Sequence, residues 1–119
     1  MSHSQISPAA ISRIAEYFKV LSEVSRLQIL CCLRSGAKNV TEIIGETGLG
    51  QANVSKHLKI LTQVGMVSRQ PQGVSVFYEI ADSSIFRLCE IACNQLSVRL
   101  EEESQHLEQL NTFKRSRLM

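Results

Sequence analysis

The segment from residue 39 to residue 80 changes its hydrophobic periodicity halfway, which constrains the fold more than any other feature of the chain. Two short helical patterns, NVTEIIGETG and LGQANVSKHLKILTQVG, are joined by a few residues that include Gly48 and Gly50. The next segments, MVSRQ and VSVFYEIA, are rich in Val, Phe and Tyr, and the second alternates apolar residues as a strand does. With PQG between them as a turn, they predict a β-hairpin directly after the helical pair.

Helical patterns also flank this segment. Pro8 is expected to open a helix in AAISRIAEYFKVLS, and a second helix in EVSRLQILCCLRSG is expected to stop at Gly36. Asn39 or Thr41 is predicted to cap the third helix, and Asp82 or Ser83 a long final helix. The apolar stripe of that final helix contains Ile85, Leu88, Cys89, Ala92, Leu96 and Leu100.

This order of elements predicts a mainly α fold with a small β-hairpin, a winged helix-turn-helix. Its 119 residues suit one domain over residues 1–119, with residues 1–7 and 112–119 flexible. The apolar stripes of the first and last helices need a partner that so short a chain does not provide, so helices packed as a homodimer are expected.

Composition and motifs narrow the functional class. The chain is 44% hydrophobic and 20% charged, and no apolar run approaches the roughly 18 residues of a membrane span. MSHSQISPAA has no secretory pattern, so a cytoplasmic protein without a membrane partner is expected. Neither cysteine pair has the Cys-x-x-Cys form of thiol oxidoreductases, and no phosphate loop or catalytic triad pattern appears. We therefore predict no enzymatic activity and no catalytic residue.

The helical segment from residue 51 to residue 65 has two unlike faces. Val54, Leu58 and Leu61 share one face. The polar side chains of the segment include Gln51, Asn53, Ser55, Lys56 and His57. No Asp or Glu occurs between residues 47 and 78, whereas Lys56, Lys59 and Arg69 do. Amides and hydroxyls suit base edges and cations suit phosphates, so double-stranded DNA is the expected partner. Two alternatives to DNA binding remain: a helix whose polar face is merely solvated, and a winged helix used for protein contacts.

The sequence resembles the ArsR/SmtB-type winged-helix repressors from about residue 11 to residue 100. VLSEVSRLQILCCL is similar to the start of these repressors, where an apolar helix precedes a small-polar-Arg-Leu-x-Ile-Leu run. The Val-Ser-Lys-His-Leu run is similar to their recognition helix, and RQPQGVSVFYEIAD to their wing. The resemblance implies a homodimer that represses a promoter from a pseudo-palindromic operator until an inducer releases it. The DNA-contacting positions it implies are Gln51, Asn53, Ser55, Lys56, His57, Arg69, Gln72 and Gly73. Lys59 is added to this set because of its charge in the acid-free segment. For His57, packing or a phosphate contact is favoured over metal ligation, because no second ligand lies at usable spacing.

The four cysteines form two close pairs, Cys31 with Cys32 and Cys89 with Cys93. Cys89 and Cys93 are spaced i, i+4, which places their Cβ atoms about 6 Å apart on one helix face. Two such thiolates suit a soft ion such as arsenite, with a third thiol from Cys31 or Cys32. Thiol oxidation or persulfide formation, and inert packing, remain open alternatives. No cofactor is required, and arsenite or another soft metal ion is a candidate inducer.

The resemblance to the repressor family also bears on the inducer. The third predicted helix lacks the Cys-x-Cys that arsenic and lead or cadmium sensors of the family carry. Asp82 matches the first zinc ligand of its zinc sensors, but the later ligand positions hold Ser84, Gln95 and Val98. Cys31 matches a cysteine of its persulfide and redox sensors, whose second cysteine falls nearer Ser97 than Cys93.

Overall fold

A computed structural model describes residues 5–118 of the chain. Within these residues the helices are α1 (Pro8–Leu21), α2 (Val24–Leu33), α3 (Val40–Thr47), α4 (Gln51–Gln63) and α5 (Ile85–Leu118). The strands are β1 (Lys38–Asn39), β2 (Val67–Gln72) and β3 (Ser75–Ile80). The chain divides between Asp82 and Ser83 into two compact units, so α5 forms a unit of its own. The single domain over residues 1–119 stays a prediction.

The predicted helix boundaries are confirmed where a cap marks them. Ser7 accepts a hydrogen bond from the Ala10 amide (3.1 Å) ahead of Pro8, which starts α1. Asn39, one of the two predicted caps of α3, accepts from the Glu42 amide at 2.9 Å. The Glu42 carboxylate accepts from the Asn39 amide in return, which completes a capping box.

The sheet has three antiparallel strands in the order β1-β3-β2, one strand more than the predicted hairpin. The prediction that PQG forms the turn holds for Gly73 and is wrong for Pro71 and Gln72. Pro71 and Gln72 belong to β2 and pair with Val76 and Ser75, and Gly73 and Val74 form the turn. Proline is tolerated in β2 because this strand lies at the edge of the sheet, where a missing N–H breaks few ladder bonds.

The hydrophobic core of the first unit lies where α2, α3 and α4 contact one another. The predicted apolar face of α4 is confirmed, since Val54, Leu58 and Leu61 are at most 1% exposed. The side chains buried with them are Ile29, Leu30, Leu33, Ile43, Met66 and Val67. Each fully buried aliphatic side chain contributes about 1.5–3 kcal/mol, so this cluster fixes the position of α4.

The apolar stripes of α1 and α5 are exposed in the single chain. Ile11, Ile14 and Phe18 of α1 are 47–54% exposed, and no residue of α1 is buried. In α5, Leu96 and Leu110 are 61% and 60% exposed. A homodimer therefore stays a prediction, but the stripes on which it rests have the exposure it requires.

The final helix departs from the prediction at both ends. It begins at Ile85, after a turn at Ser83 and Ser84, and it continues through Leu118. The segment 112–119, expected to be flexible, is therefore helical as far as residue 118. Met119 and, at the other terminus, residues 1–4 of the predicted flexible segment lie outside the described residues. Across residues 5–118, no helix combines the length and apolar character needed to cross a membrane.

Candidate nucleic-acid interface

The connection between α3 and α4 is short and held by hydrogen bonds. Gly48 ends α3 with φ of 73°, a left-handed conformation that favours glycine. The Thr47 hydroxyl donates to the Ile43 carbonyl (2.7 Å) and accepts from the Leu49 amide (3.3 Å). Gly50 then occupies the N-cap of α4. This connection presents the first turn of α4 with Gln51 and Asn53 exposed.

Most of the predicted DNA-contacting side chains of α4 are exposed. We call the following residues the polar face of α4: Gln51, Asn53, Ser55, Lys56 and Lys59. The first turn holds no acidic residue, and its N-cap, Gly50, has no side chain that could accept from the amides of that turn. The partial positive charge of a helix N-terminus therefore adds to the two lysines, which favours an anionic partner.

His57 differs from the other predicted DNA-contacting residues of α4. Its side chain is buried, 7% exposed, because position 57 lies on the same side of the helix as Val54 and Leu61. Arg26 Nη1 lies 3.4 Å from His57 Nδ1. Burial lowers the pKa of His57, and the nearby Arg26 charge lowers it further. The imidazole is therefore neutral near pH 7, and it packs against Arg26.

Arg26 joins three helices. From α2, its Nε donates to the Val20 carbonyl (2.7 Å) and its Nη2 to the Lys19 carbonyl (3.3 Å), both in the last turn of α1. Its third nitrogen faces His57 of α4. A cation at the C-terminus of a helix interacts favourably with the helix dipole, here that of α1. The contact of Arg26 with His57 also positions α4. Sequence reasoning missed this role, because an isolated arginine in a helical pattern does not specify its partners.

The predicted wing residues lie on the hairpin formed by β2 and β3. Arg69, Gln72 and Gly73 are exposed. Gly73 has a φ of 62° and is the first residue of the two-residue turn. A positive φ at this position is typical of two-residue hairpin turns, and it favours glycine. Val74 follows at the tip and is fully exposed. The wing therefore projects a short loop next to the cationic Arg69.

Residues from α4 and the hairpin converge on one cleft, which we call the anion cleft. Its volume is about 210 Å³, and it is lined by Ser55, Lys59, Thr62, Gln63, Arg69 and Tyr78. It brings Arg69 of the hairpin together with Ser55 and Lys59 of α4, all three predicted to contact DNA. Arg69 faces Tyr78 directly in the register of β2 and β3. Two cations with hydroxyl donors around a small cleft form a suitable site for a phosphate group.

Thr62, Gln63 and Tyr78 are lining residues that sequence reasoning missed. A helix of 3.6 residues per turn places positions 55, 59 and 62 on one side. This spacing could have predicted that Thr62 lies beside Ser55 and Lys59. Tyr78 follows only from the strand register, since it lies nine residues after Arg69 in the chain.

Cys32 belongs to a polar network between α2 and α3. Its thiol donates to Glu46 Oε2 at 3.1 Å. Lys38, which is buried, donates through Nζ to the Cys32 carbonyl (2.6 Å) and lies 3.7 Å from Glu46 Oε1. Burial, followed by the hydrogen bond to Glu46, raises the pKa of the Cys32 thiol to about 11. Cys32 is therefore protonated near pH 7. Its neighbour Cys31 is exposed.

The other two cysteines lie on α5, where Cys89 is half-buried and Cys93 is exposed. None of the four cysteines forms a disulfide. Within residues 5–118 of one chain, no three His, Cys, Asp or Glu side chains are grouped as metal ligands. The inducer role predicted for Cys31, Cys32, Cys89 and Cys93 thus stays a prediction.

Comparison with known sequences places the chain among bacterial regulators. The family model described as bacterial regulatory protein, arsR family, matches residues 23–69. The HTH-type transcriptional regulator NmtR of Mycobacterium tuberculosis is 32% identical over 83 residues, which cover 70% of this chain and 69% of the relative. The regulator Rv0081 of the same species is 32% identical over 97 residues, covering 81% and 85% of the two chains.

Solved structures confirm the winged helix-turn-helix fold. The crystal structure of Rv0081 superposes with a TM-score of 0.71 at 29% identity, covering 82% of this chain and 98% of that one. The homodimeric winged helix-turn-helix DNA-binding domain of Mb0332 from Mycobacterium bovis gives 0.69 at 28% identity, with coverages of 85% and 95%. The antimony-specific transcriptional repressor AntR gives 0.71 at 25% identity, with coverages of 85% and 92%.

Proposed function

Because the chain belongs to the ArsR family of DNA-binding transcriptional repressors, we propose that it binds a pseudo-palindromic operator as a homodimer. We further propose that it releases the operator when its cysteine thiols bind a thiophilic inducer such as arsenite. The observation that carries the DNA part is the convergence of the polar face of α4 with Arg69 at the anion cleft.

The DNA contacts follow from what each exposed group offers. In a helix-turn-helix, the second helix enters the major groove with its N-terminal residues at base edges. Gln51 and Asn53 are exposed in the first turn of α4, and their amides suit bidentate bonds to adenine. Lys56 suits a phosphate or a guanine, and the anion cleft suits a phosphate that lies between α4 and the wing.

The homodimer is supported by the exposed stripes of α1 and α5. Side chains such as Ile14 and Leu110 are about half exposed or more, and stripes of this kind are typical of surfaces covered by a partner. The related Mb0332 domain is homodimeric. A two-fold axis would place two copies of α4 about one turn of DNA apart, roughly 34 Å, which requires a pseudo-palindromic operator.

The inducer proposal rests on Cys89 and Cys93, which lie one turn apart on α5. Arsenite, As(OH)₃, exchanges two hydroxides for two thiolates and releases two water molecules, so a pair of neighbouring thiols suffices. The structurally similar AntR is antimony-specific, and antimony resembles arsenic in its preference for sulfur. Cys32 is a weaker ligand because its pKa is raised to about 11. Since α5 carries an exposed apolar stripe, a ligand bound on it would alter the dimer geometry.

The test measures fluorescence anisotropy of labelled DNA from upstream of the protein's own gene. Reduced protein is added to saturation, and arsenite is then titrated with a phosphine reductant present, because a dithiol reductant would compete for arsenite. The native chain should release DNA, and the Cys89→Ser, Cys93→Ser variant should retain it. A Cys31→Ser, Cys32→Ser variant is the matched control, and it should respond as the native chain does.

The possible outcomes separate the parts of the proposal. Absence of saturable, salt-sensitive DNA binding would refute the operator proposal. Tight binding that arsenite does not affect would refute the arsenite proposal and leave the repressor. Release by a persulfide or an oxidant, abolished by Cys31→Ser, would favour the redox alternative.

A further inference from the structure

A pocket at the junction of α1, α2 and the C-terminal half of α4 takes no part in the proposals above. Its volume is about 710 Å³, within the range of small-molecule sites. Apolar side chains from two helices line it, namely Val20 of α1 and Ile60 of α4, with Val64 just after α4. The pocket therefore offers a surface on which an organic molecule of moderate size would lose contact with water.

The charge of the pocket is unbalanced. Arg13, Lys19 and Arg26 line it, and Glu16 is the single acidic lining residue. Three cations against one carboxylate leave a net charge of +2 at neutral pH. Guanidinium groups suit a carboxylate because they donate two parallel hydrogen bonds to it. An anionic head with an apolar body thus matches both parts of the lining.

The pocket lies on a different side of α1 from the stripe expected to form the dimer. At 100° per residue, the centre of positions 13, 17 and 20 lies about 125° around the helix from the centre of positions 11, 14 and 18. Ile11, Ile14 and Phe18 form the exposed stripe, whereas Arg13 and Val20 line the pocket. A homodimer that buries the stripe therefore leaves this side of α1 open to a ligand.

Two residues connect the pocket to the interior side of α4 and to the anion cleft. Arg26 lines the pocket and lies 3.4 Å from His57 Nδ1 on α4. Gln63 lines both this pocket and the anion cleft. A ligand that attracts the Arg26 guanidinium therefore changes the surroundings of the buried His57.

We propose that this pocket binds a small organic anion with an apolar body, such as an aromatic or branched-chain carboxylate. The carboxylate pairs with Arg13 and Arg26, and the apolar body packs against Val20, Ile60 and Val64. The site is separate from the four cysteines and from the polar face of α4. Binding to it does not depend on the operator or on an inducer.

The experiment is an NMR titration of the isotopically labelled full chain without DNA. The probes are benzoate, indole-3-acetate and 4-methylpentanoate, each paired with its neutral primary amide. At least one carboxylate should shift the amide signals of Val20, Ile60 and Val64 saturably. Its neutral amide should bind at least about tenfold more weakly, since the charge that pairs with Arg13 and Arg26 is lost. The ring signals of His57 should move in the same titration.

Variants locate the anion within the pocket. Arg13→Gln removes one exposed cation of the lining and should weaken binding about tenfold. Arg99→Gln removes an exposed cation of α5 and should have no effect. The proposal is overturned if none of the three carboxylates gives saturable shifts in the pocket. It is equally overturned if amide and carboxylate bind alike, or if the two variants behave alike.

Discussion

Replacing Arg69 by alanine tests whether the anion cleft holds a DNA phosphate. Arg69 is exposed on β2 and lines the cleft with Lys59 of α4. Its removal leaves the hydrophobic core unchanged, because that core lies among α2, α3 and α4. We therefore expect the variant to fold normally and to bind operator DNA more weakly, with a changed dependence on salt.

The magnitude follows from the number of phosphates released. Each neutralised phosphate contributes about −0.9 to the slope of log K against log[salt], and a homodimer presents Arg69 twice. Losing both contacts should make the slope shallower by about 1.8. Over a fourfold increase in salt, from about 50 to 200 mM, native affinity should then fall about twelvefold more than that of the variant.

Fluorescence anisotropy at four or more salt concentrations measures both slopes on the same DNA. Arg99→Ala is the matched control, because it removes an arginine that is 79% exposed on α5, outside the cleft. Native protein and control should give the same slope. Parallel lines for the native chain and Arg69→Ala would refute the phosphate site in the cleft.

Three further predictions follow from individual side chains. Gln51→Ala should cost about 1–3 kcal/mol of discrimination at one base pair, because a bidentate contact is lost; binding to a set of single-base operator variants checks this, and unchanged preference would contradict it. Glu46→Gln should lower the raised pKa of Cys32 only in part, since burial is the larger cause. The pH profile of Cys32 alkylation, followed by mass spectrometry, should move to lower pH. An unmoved profile would exclude the hydrogen bond to Glu46 as a cause of the raised pKa. The pKa of His57 is lowered in the folded state, so the unfolded chain binds more protons below pH 6.5, and stability should fall as pH decreases from about 6.5 towards the folded pKa. Urea unfolding at pH 7.5 and 5.5 should show this loss in the native chain and a smaller one in His57→Gln; equal losses would count against the titration of His57.

Local signals in the sequence account for most of the helix boundaries. The Asn39 cap and Gly48 act within four residues of the helix ends that they mark, so a short window of sequence contains their partners. The same holds for the apolar face of α4, since the helical repeat places Val54, Leu58 and Leu61 together without knowledge of their neighbours.

The hairpin shows where local signals mislead. PQG has turn composition, but β2 extends through Gln72. Proline is tolerated at position 71 because β2 is an edge strand. The order of the strands depends on tertiary structure, so a short window of sequence does not contain it. The pairing of β1 with β3 was likewise not predicted. Lys38 and Tyr78 are forty residues apart (78 − 38), and two residues of strand carry no periodic pattern.

The sequence by itself determined the winged helix-turn-helix order, the acid-free segment and the polar residues available to bind DNA. The tertiary structure decided which of them face solvent together. It buried His57 against Arg26, thirty-one residues earlier, and brought Lys59 beside Arg69 and Tyr78 in one cleft. The physical reason is that periodicity reports which side of an element is apolar, whereas polar partners are selected by packing between elements.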